Sequence, residues 1–193
     1  MGFTRAQLQA YYDVAVPDLV GDGMRLLFVG INPGLWTAAT QTHFAYPGNR
    51  FYPALLASGI IDTLPDFAAG MTEAERAEFR DRGIGITNFV NRATARADEL
   101  SRDELRAGAA RLRDTVRRWH PAVVAVVGVT AYRLGFDEPK AATGEQPEGI
   151  KGARLWVLPN PSGLNAHDTV ATLAAAYAEP ARAAGLIPAQ SGS

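Results

Sequence analysis

The sequence predicts an α/β protein, a three-layer sandwich in which a short, mainly parallel central sheet is flanked by helices. Strand-length apolar runs alternate with helical patterns along the 193 residues. These runs are apolar on both faces, as buried parallel strands require. Helices between consecutive strands allow right-handed crossovers. A chain of this length buries roughly two thirds of its unfolded surface around one core. We therefore expect a single domain over 1–187, followed by a disordered tail over 188–193.

The first half of the chain alternates helices with two strands. Thr4 is a typical capping residue, and it predicts a short helix at the N-terminus. The run Leu26–Val29 is apolar throughout and predicts the first buried strand. The predicted helices of this half cover 4–12, 49–58 and 73–82, and the predicted strands cover 25–31 and 84–90.

The second half begins with the strongest helix signal. Ser101 is followed three residues later by Glu104, a capping box, and Pro121 ends the amphipathic pattern. Gly, Pro and charged residues over 137–152 indicate a surface loop. The remaining predicted elements are strands over 123–127 and 154–158, a short helix over 130–134 and an alanine-rich helix over 168–184.

Composition narrows the classes of function. The chain has no cysteine, which excludes disulfides and thiolate chemistry and suits a reducing cytosol. Its three histidines lack metal-ligand spacing, so we expect no metal site. Apolar runs are too short to span a bilayer, and we expect a cytoplasmic protein with no membrane partner. A net charge of −1 neither indicates nor excludes a nucleic-acid partner.

Two Asn-Pro turns follow predicted strands. "GINPG" (30–34) comes directly after the first strand and "LPNPSGLNAH" (158–167) ends the fourth. Proline removes a backbone donor and glycine allows close approach to the backbone. Ligands of parallel sheets bind beyond the carboxyl ends of the strands, so we expect both turns to line one cleft. A single Asn-Pro-Gly turn is often only structural, but a pair at equivalent strand ends favours a site.

Four segments carry a resemblance to a known family. "GINPGL" (30–35), "HFAYPGNRFY" (43–52), "GITNFVNR" (85–92) and "LPNPSGL" (158–164) resemble the mismatch-specific uracil-DNA glycosylase and thymine-DNA glycosylase family of the uracil-DNA glycosylase superfamily. The similarity runs in order over about residues 25–180. It implies the same α/β sandwich, and removal of uracil from double-stranded DNA, especially opposite guanine, without a cofactor.

The resemblance also assigns roles around the first turn. Asn32 resembles the catalytic asparagine that orients the attacking water, while Gly30, Ile31, Pro33 and Gly34 form the turn that binds the base. Phe44 resembles the aromatic that stacks on the flipped uracil, although a plain core phenylalanine is the alternative. Backbone N–H groups near Ile31 and Phe44 would stabilise the departing base. No lysine occupies these motifs, so we expect a monofunctional enzyme that leaves an abasic site.

The second turn resembles a DNA wedge. Leu164 would fill the space vacated by the flipped base, with Ser162, Gly163 and Asn165 contacting DNA. The alternative for Leu164 is a hydrophobic staple of the next helix. His167 stands after the Pro-Ser turn, where a phosphate contact and a solvated residue are both possible. The basic residues considered for phosphate contact are Arg50, Arg92, Arg96 and Lys151, and of these Arg50 and Arg92 are assigned to DNA binding.

Three further positions have open assignments. Asn88 matches a pocket position of the family, but asparagine at a strand end is also a common turn former. Thr37 is expected to face C5 of the pyrimidine and to disfavour the methyl group of thymine. Asn160 is included with the substrate-binding residues and is expected to brace the wedge turn.

Two hypotheses follow from the sequence. In the first, the chain is a monomeric DNA glycosylase whose partner is double-stranded DNA with G:U or related mismatches. In the second, it is a non-catalytic module of the same fold that binds nucleobases or damaged DNA. Base release distinguishes them, because only the first hypothesis requires it.

Overall fold

The computed structural model describes residues 2–189 and contains one central five-stranded sheet in the order β2-β1-β3-β5-β4. The strands β1, β2, β3 and β5 are mutually parallel, and β4 pairs antiparallel with β5 at the edge. The predicted α/β class with a mainly parallel sheet is therefore confirmed. The strands are β1 (Leu26–Gly30), β2 (Ile84–Asn88), β3 (Val123–Val127), β4 (Gly144–Glu145) and β5 (Arg154–Leu158).

Seven α-helices connect and flank these strands within the described residues. They are α1 (Arg5–Gln9), α2 (Leu35–Thr40), α3 (Phe51–Ala57), α4 (Glu73–Asp81), α5 (Arg102–Trp119), α6 (Val129–Phe136) and α7 (Val170–Ala183). A single 3₁₀ turn, Ala97–Glu99, precedes α5. Helix α5 begins as predicted, because Ser101 Oγ accepts from the Glu104 N–H at 3.1 Å and a Glu104 carboxylate oxygen accepts from the Ser101 N–H at 2.8 Å.

Three short elements were not predicted, namely the 3₁₀ turn Ala97–Glu99, α2 and β4, and the largest difference in a predicted boundary is at the end of α1. Helix α2 directly follows the Pro-Gly turn, and β4 lies within the segment predicted as a loop. Helix α1 ends at Gln9 rather than near residue 12. The predicted disordered tail over 188–193 falls mostly outside the described residues and stays a prediction.

The three layers follow from alternation along the strands. In β1, Leu26 and Phe28 join the core cluster that also contains residues of α3 and α7. The intervening Leu27 and Val29 join the opposite cluster with residues of α5 and α6. Successive side chains of a strand point to opposite faces, so helices cover both faces of this sheet. Among the described helices, none is both long and apolar enough to cross a membrane.

Candidate active site

The first Asn-Pro turn is fixed against the end of the neighbouring strand. Gly30 of β1 pairs in register with Asn88 of β2. Beyond the strands, the Phe89 N–H donates to Gly30 O and the Val90 N–H donates to Ile31 O, both at 3.0 Å. The Thr94 N–H donates to Pro33 O at 3.1 Å. These backbone bonds hold the turn beside the end of β2, where the sequence predicted a site.

The Asn32 side chain is oriented by its amide nitrogen. Nδ2 lies 2.8 Å from Thr94 Oγ1, 3.0 Å from Arg92 O and 3.1 Å from Pro33 O. Thr94 Oγ1 donates its own proton to Arg96 O, so it acts as an acceptor toward Asn32. Within the described residues, Oδ1 of Asn32 has no hydrogen-bond donor. The amide therefore has a fixed direction, and its acceptor atom is available to a water molecule.

Gly30, Phe44 and Asn88 lie close together at this edge of the sheet, and we call this cluster the candidate base pocket. A Cβ placed on Gly30 would lie 2.4 Å from Asn88 Oδ1 and 3.2 Å from Phe44 Cζ, so only glycine permits both side chains to approach the backbone this closely. Phe44 has a left-handed backbone with φ 55°, and its ring stacks on Phe51 with centroids 4.0 Å apart. The ring is half-buried. Phe44 thus forms one wall of the pocket while its other neighbour, Phe51, belongs to the core.

His43 orients Asn88. The imidazole is buried, with Nε2 2.9 Å from Pro17 O and Nδ1 3.1 Å from Asn88 Nδ2. A carbonyl oxygen only accepts, so Nε2 carries the proton and Nδ1 accepts from the Asn88 amide. Burial lowers the pKa of His43, which outweighs the opposing hydrogen bond to Pro17 and the charge of Asp18. The neutral imidazole fixes Asn88 with Oδ1 toward the pocket.

Acid should weaken this arrangement. The folded state lowers the pKa of His43 below its ordinary value of about 6.5, so the unfolded chain binds the proton more readily. The free energy of unfolding therefore falls as the pH decreases below about 6.5, by at most ~1.4 kcal/mol per pH unit. Urea unfolding between pH 5 and pH 7.5 measures the slope. We expect His43→Gln to flatten it, whereas His120→Asn, at an exposed histidine, should not. Equal slopes for the unsubstituted protein and His43→Gln would contradict the assignment.

Thr37 lies on α2 and braces the Phe44 loop. Its side chain is buried, and Oγ1 accepts from the Ala45 N–H at 3.3 Å. This contact places Thr37 next to the loop that carries the stacking aromatic. Its predicted contact with C5 of a pyrimidine stays a prediction.

Backbone donors also face this edge of the sheet. Within residues 2–189, no acceptor is found for the N–H groups of Ile31 and Phe44. An N–H that lacks a protein partner can bind a carbonyl oxygen of a ligand. Their contact with the carbonyl oxygens of a base, expected from the sequence, stays a prediction.

The second Asn-Pro turn presents one leucine to solvent. Leu164 is 96% exposed, so it does not pack as a staple on α7. The turn beneath it is braced: the Ser162 N–H donates to Asn160 Oδ1 at 2.9 Å, and the Leu164 N–H donates to Ser162 Oγ at 3.3 Å. Asn160 thus braces the turn, as expected. We call residues 160–168 the wedge loop.

Asn165 forms several hydrogen bonds within the wedge loop. Its Nδ2 donates to Asn160 O at 3.0 Å and to Asp168 Oδ2 at 2.8 Å, and its backbone N–H donates to Ser162 O at 2.9 Å. His167 is exposed, and its N–H donates to Asn165 Oδ1. The side chain of Leu164 is therefore exposed on a loop that is itself ordered by hydrogen bonds.

The two arginines assigned to DNA binding from the sequence are both engaged within the protein. Arg92 pairs with Glu104 at 2.6 Å and with Asp13 at 3.0 Å. The hydrogen bond from Arg92 lowers the pKa of Glu104 to about 2 and the same pairing raises the pKa of Arg92. Arg50 donates to carbonyl oxygens of the wedge loop. Contact of either arginine with phosphate stays a prediction.

The sequence analysis missed two of these contacts. His43 was noted only for its lack of metal-ligand spacing, and Thr94 was not considered. His43 contacts Asn88, which is 45 positions away in the chain, and Thr94 contacts Asn32, which is 62 positions away. The only sequence signal for a role of His43 was its position directly before Phe44. Among residues 2–189, no group of three or more His, Asp or Glu side chains is placed to hold a metal ion.

Comparison with known protein families agrees with this geometry. The sequence pattern of the uracil DNA glycosylase superfamily matches residues 17–180. The match covers the whole sheet, both Asn-Pro turns and the loop that carries Phe44.

Proposed function

The chain belongs to the uracil-DNA glycosylase superfamily, and on this premise we propose that it excises uracil, and related damaged pyrimidines, from double-stranded DNA, preferentially opposite guanine. Members of the superfamily are DNA glycosylases, which are hydrolases of N-glycosidic bonds. The proposed enzyme is the mismatch-specific type, acts as a monomer in the cytoplasm on nucleoid DNA, and leaves an abasic site.

The orientation of Asn32 carries the proposal. Its Nδ2 is held by three acceptors, which leaves Oδ1 to accept a hydrogen bond from water. An amide is too weak a base to deprotonate that water before attack, so its contribution is alignment. Alignment of a reactant can supply a large part of a rate enhancement, because the entropic cost is met on binding.

The proposed reaction proceeds on a base that has left the helix. Uracil enters the pocket between Gly30, Phe44 and Asn88 and stacks on the Phe44 ring. The C1′–N1 bond breaks, the electron pair leaves with the base, and the N–H groups of Ile31 and Phe44 stabilise the negative charge on its carbonyl oxygens. Water held by Asn32 adds its oxygen to C1′, and its proton passes to solvent.

A preference for guanine as the opposite base follows from the energetics of flipping. Extrusion of a base costs a few kcal/mol, and the cost is smaller in a mismatch than in a Watson–Crick pair. The exposed Leu164 would fill the vacated space and prevent the base from returning. The lower cost of flipping favours uracil opposite guanine over uracil opposite adenine, whereas the wedge assists flipping in both pairs.

Single-turnover rates on three labelled duplexes test the proposal. The duplexes are identical except for the pair at one position, which is U:G, U:A or C:G. We expect alkali-labile sites to form fastest at U:G, more slowly at U:A and not at C:G. Binding of the U:G duplex without any alkali-labile site would instead favour the non-catalytic binding module.

Leu164→Ala should slow excision from duplexes. Loss of ~1.4 kcal/mol of stabilisation of the flipped state corresponds to a tenfold lower rate, so we expect about a tenfold loss or more on U:G. Single-stranded DNA needs no wedge, and its rate should change little. Leu64→Ala, at another exposed leucine, is the matched control. Equal losses on duplex and single-stranded DNA would make Leu164 merely structural.

A further inference from the structure

The wedge loop is in direct contact with the loop that precedes α3. The Arg50 N–H donates to Pro161 O at 3.0 Å. A Cβ on Gly163 would lie 2.7 Å from Gly48 O, so the two backbones meet at a distance that only glycine permits. The loop that precedes α3 and the wedge loop are therefore packed together, although more than 110 residues separate the contacting positions.

The guanidinium group of Arg50 adds side-chain hydrogen bonds to this contact between the two loops. Arg50 Nη2 lies 3.2 Å from Gly163 O and 3.0 Å from Asn165 O, and Nη1 donates to Asp168 O. These three carbonyl groups belong to the wedge loop, and two of them flank Leu164. Within the described residues, Arg50 has no carboxylate partner. Its planar fork of donors is thus used on backbone oxygens of a single loop.

The same residue begins the helix that supports the stacking aromatic. Arg50 is the N-cap of α3, and the next residue, Phe51, stacks on Phe44. A displacement at the start of α3 would therefore reach the pocket wall and the wedge loop together. Base capture and wedge insertion require these two parts to keep a fixed separation, because both act on one nucleotide position.

We propose that Arg50 is a positioning residue that holds the wedge loop in register with the base pocket. The assignment rests on the proposed function, and it differs from the phosphate contact expected from the sequence. Three of the five N–H donors of the guanidinium are committed to the wedge loop, which orders the loop that presents Leu164.

The test compares Arg50→Met and Arg50→Lys with Arg117→Met, a control at an exposed arginine on the last turn of α5. Misplacement of a reacting group by about 1 Å can cost about 100-fold, so we expect both Arg50 variants to lose about 10- to 100-fold in excision from U:G duplex. The rate on single-stranded DNA should change far less. Lysine retains the charge but lacks the fork, so it should not rescue. Combining Arg50→Met with Leu164→Ala should give less than the sum of the two effects, because both act on one wedge.

Two measurements separate positioning from phosphate contact. Loss of a phosphate contact reduces the slope of log K against log salt by about 0.9, whereas a positioning role leaves it unchanged. Amide hydrogen exchange over 160–168 should be faster in both Arg50 variants and unchanged in Arg117→Met. A reduced salt slope, rescue by lysine or unchanged exchange would overturn the proposal. The exchange measurement needs no activity, so it decides the role of Arg50 even if the unsubstituted protein releases no uracil.

Discussion

Asn32→Ala should release uracil from a U:G duplex about 100-fold or more slowly than the unsubstituted protein, because an unaligned water must then attack C1′. The variant removes the only side chain of the first Asn-Pro turn that presents an acceptor fixed by three contacts. It removes no positive charge, so affinity for the duplex should be unchanged. Single-turnover excision and fluorescence anisotropy measure the two quantities on the same DNA.

Asn32→Asp is an informative companion to that variant. The carboxylate would place an oxygen where Nδ2 now faces Arg92 O and Pro33 O, and an ionised carboxylate has no proton to donate. We therefore expect Asn32→Asp to perturb the turn rather than to give a faster enzyme. Full activity in Asn32→Ala would remove Asn32 from the mechanism.

Gly30→Ala should close the base pocket. The added methyl group would lie 2.4 Å from Asn88 Oδ1 and 3.2 Å from Phe44 Cζ, in the space proposed for the uracil ring. We expect excision to fall by about 100-fold, because a base that is displaced by about 1 Å no longer meets the aligned water. The backbone of Gly30 does not need a left-handed conformation, so the strain is confined to the Asn88 side chain, which must move to admit the methyl group.

Gly21→Ala is the matched control for this substitution. Its methyl group would meet only the Arg80 side chain, with the nearest atom at 3.1 Å, and Gly21 lies outside the candidate site. Thermal unfolding of both variants shows whether the fold is retained. A folded Gly30→Ala protein with unchanged excision would mean that the base binds elsewhere.

Hydrophobic runs and capping residues predicted most of the strands and helices. Strand β3 was predicted with its observed bounds because Val123–Val127 is apolar throughout and is buried on both faces. Helix α5 was predicted from a capping box that the structure contains. Local sequence did not predict α2, which has six residues and a glycine cap without a side-chain hydrogen bond, so packing of Ala38 stabilises it. Strand β4 has two residues and exists through its pairing with β5.

In the candidate site too, local features were predicted from the sequence and contacts between distant residues were not. Both Asn-Pro turns were predicted because they directly follow strands, and parallel strands end at one edge of a sheet. The contacts that orient the site join residues far apart in the chain: His43 with Asn88, and Arg50 with Gly163 and Asn165. Such pairs leave no periodic pattern. Local sequence therefore indicated candidate residues for the site, but not the distant residues that fix their orientation.

Product analysis on a single U:G duplex tests the central claim most directly. The unsubstituted protein is incubated with the duplex, free uracil is quantified by mass spectrometry, and the strand is analysed with and without alkali. We expect free uracil and alkali-labile strand in equal amounts, with an intact strand before alkali treatment and, with Asn32→Ala at the same early time point, about 100-fold less of both products. A protein that binds the duplex and releases no uracil would contradict the assignment as a glycosylase.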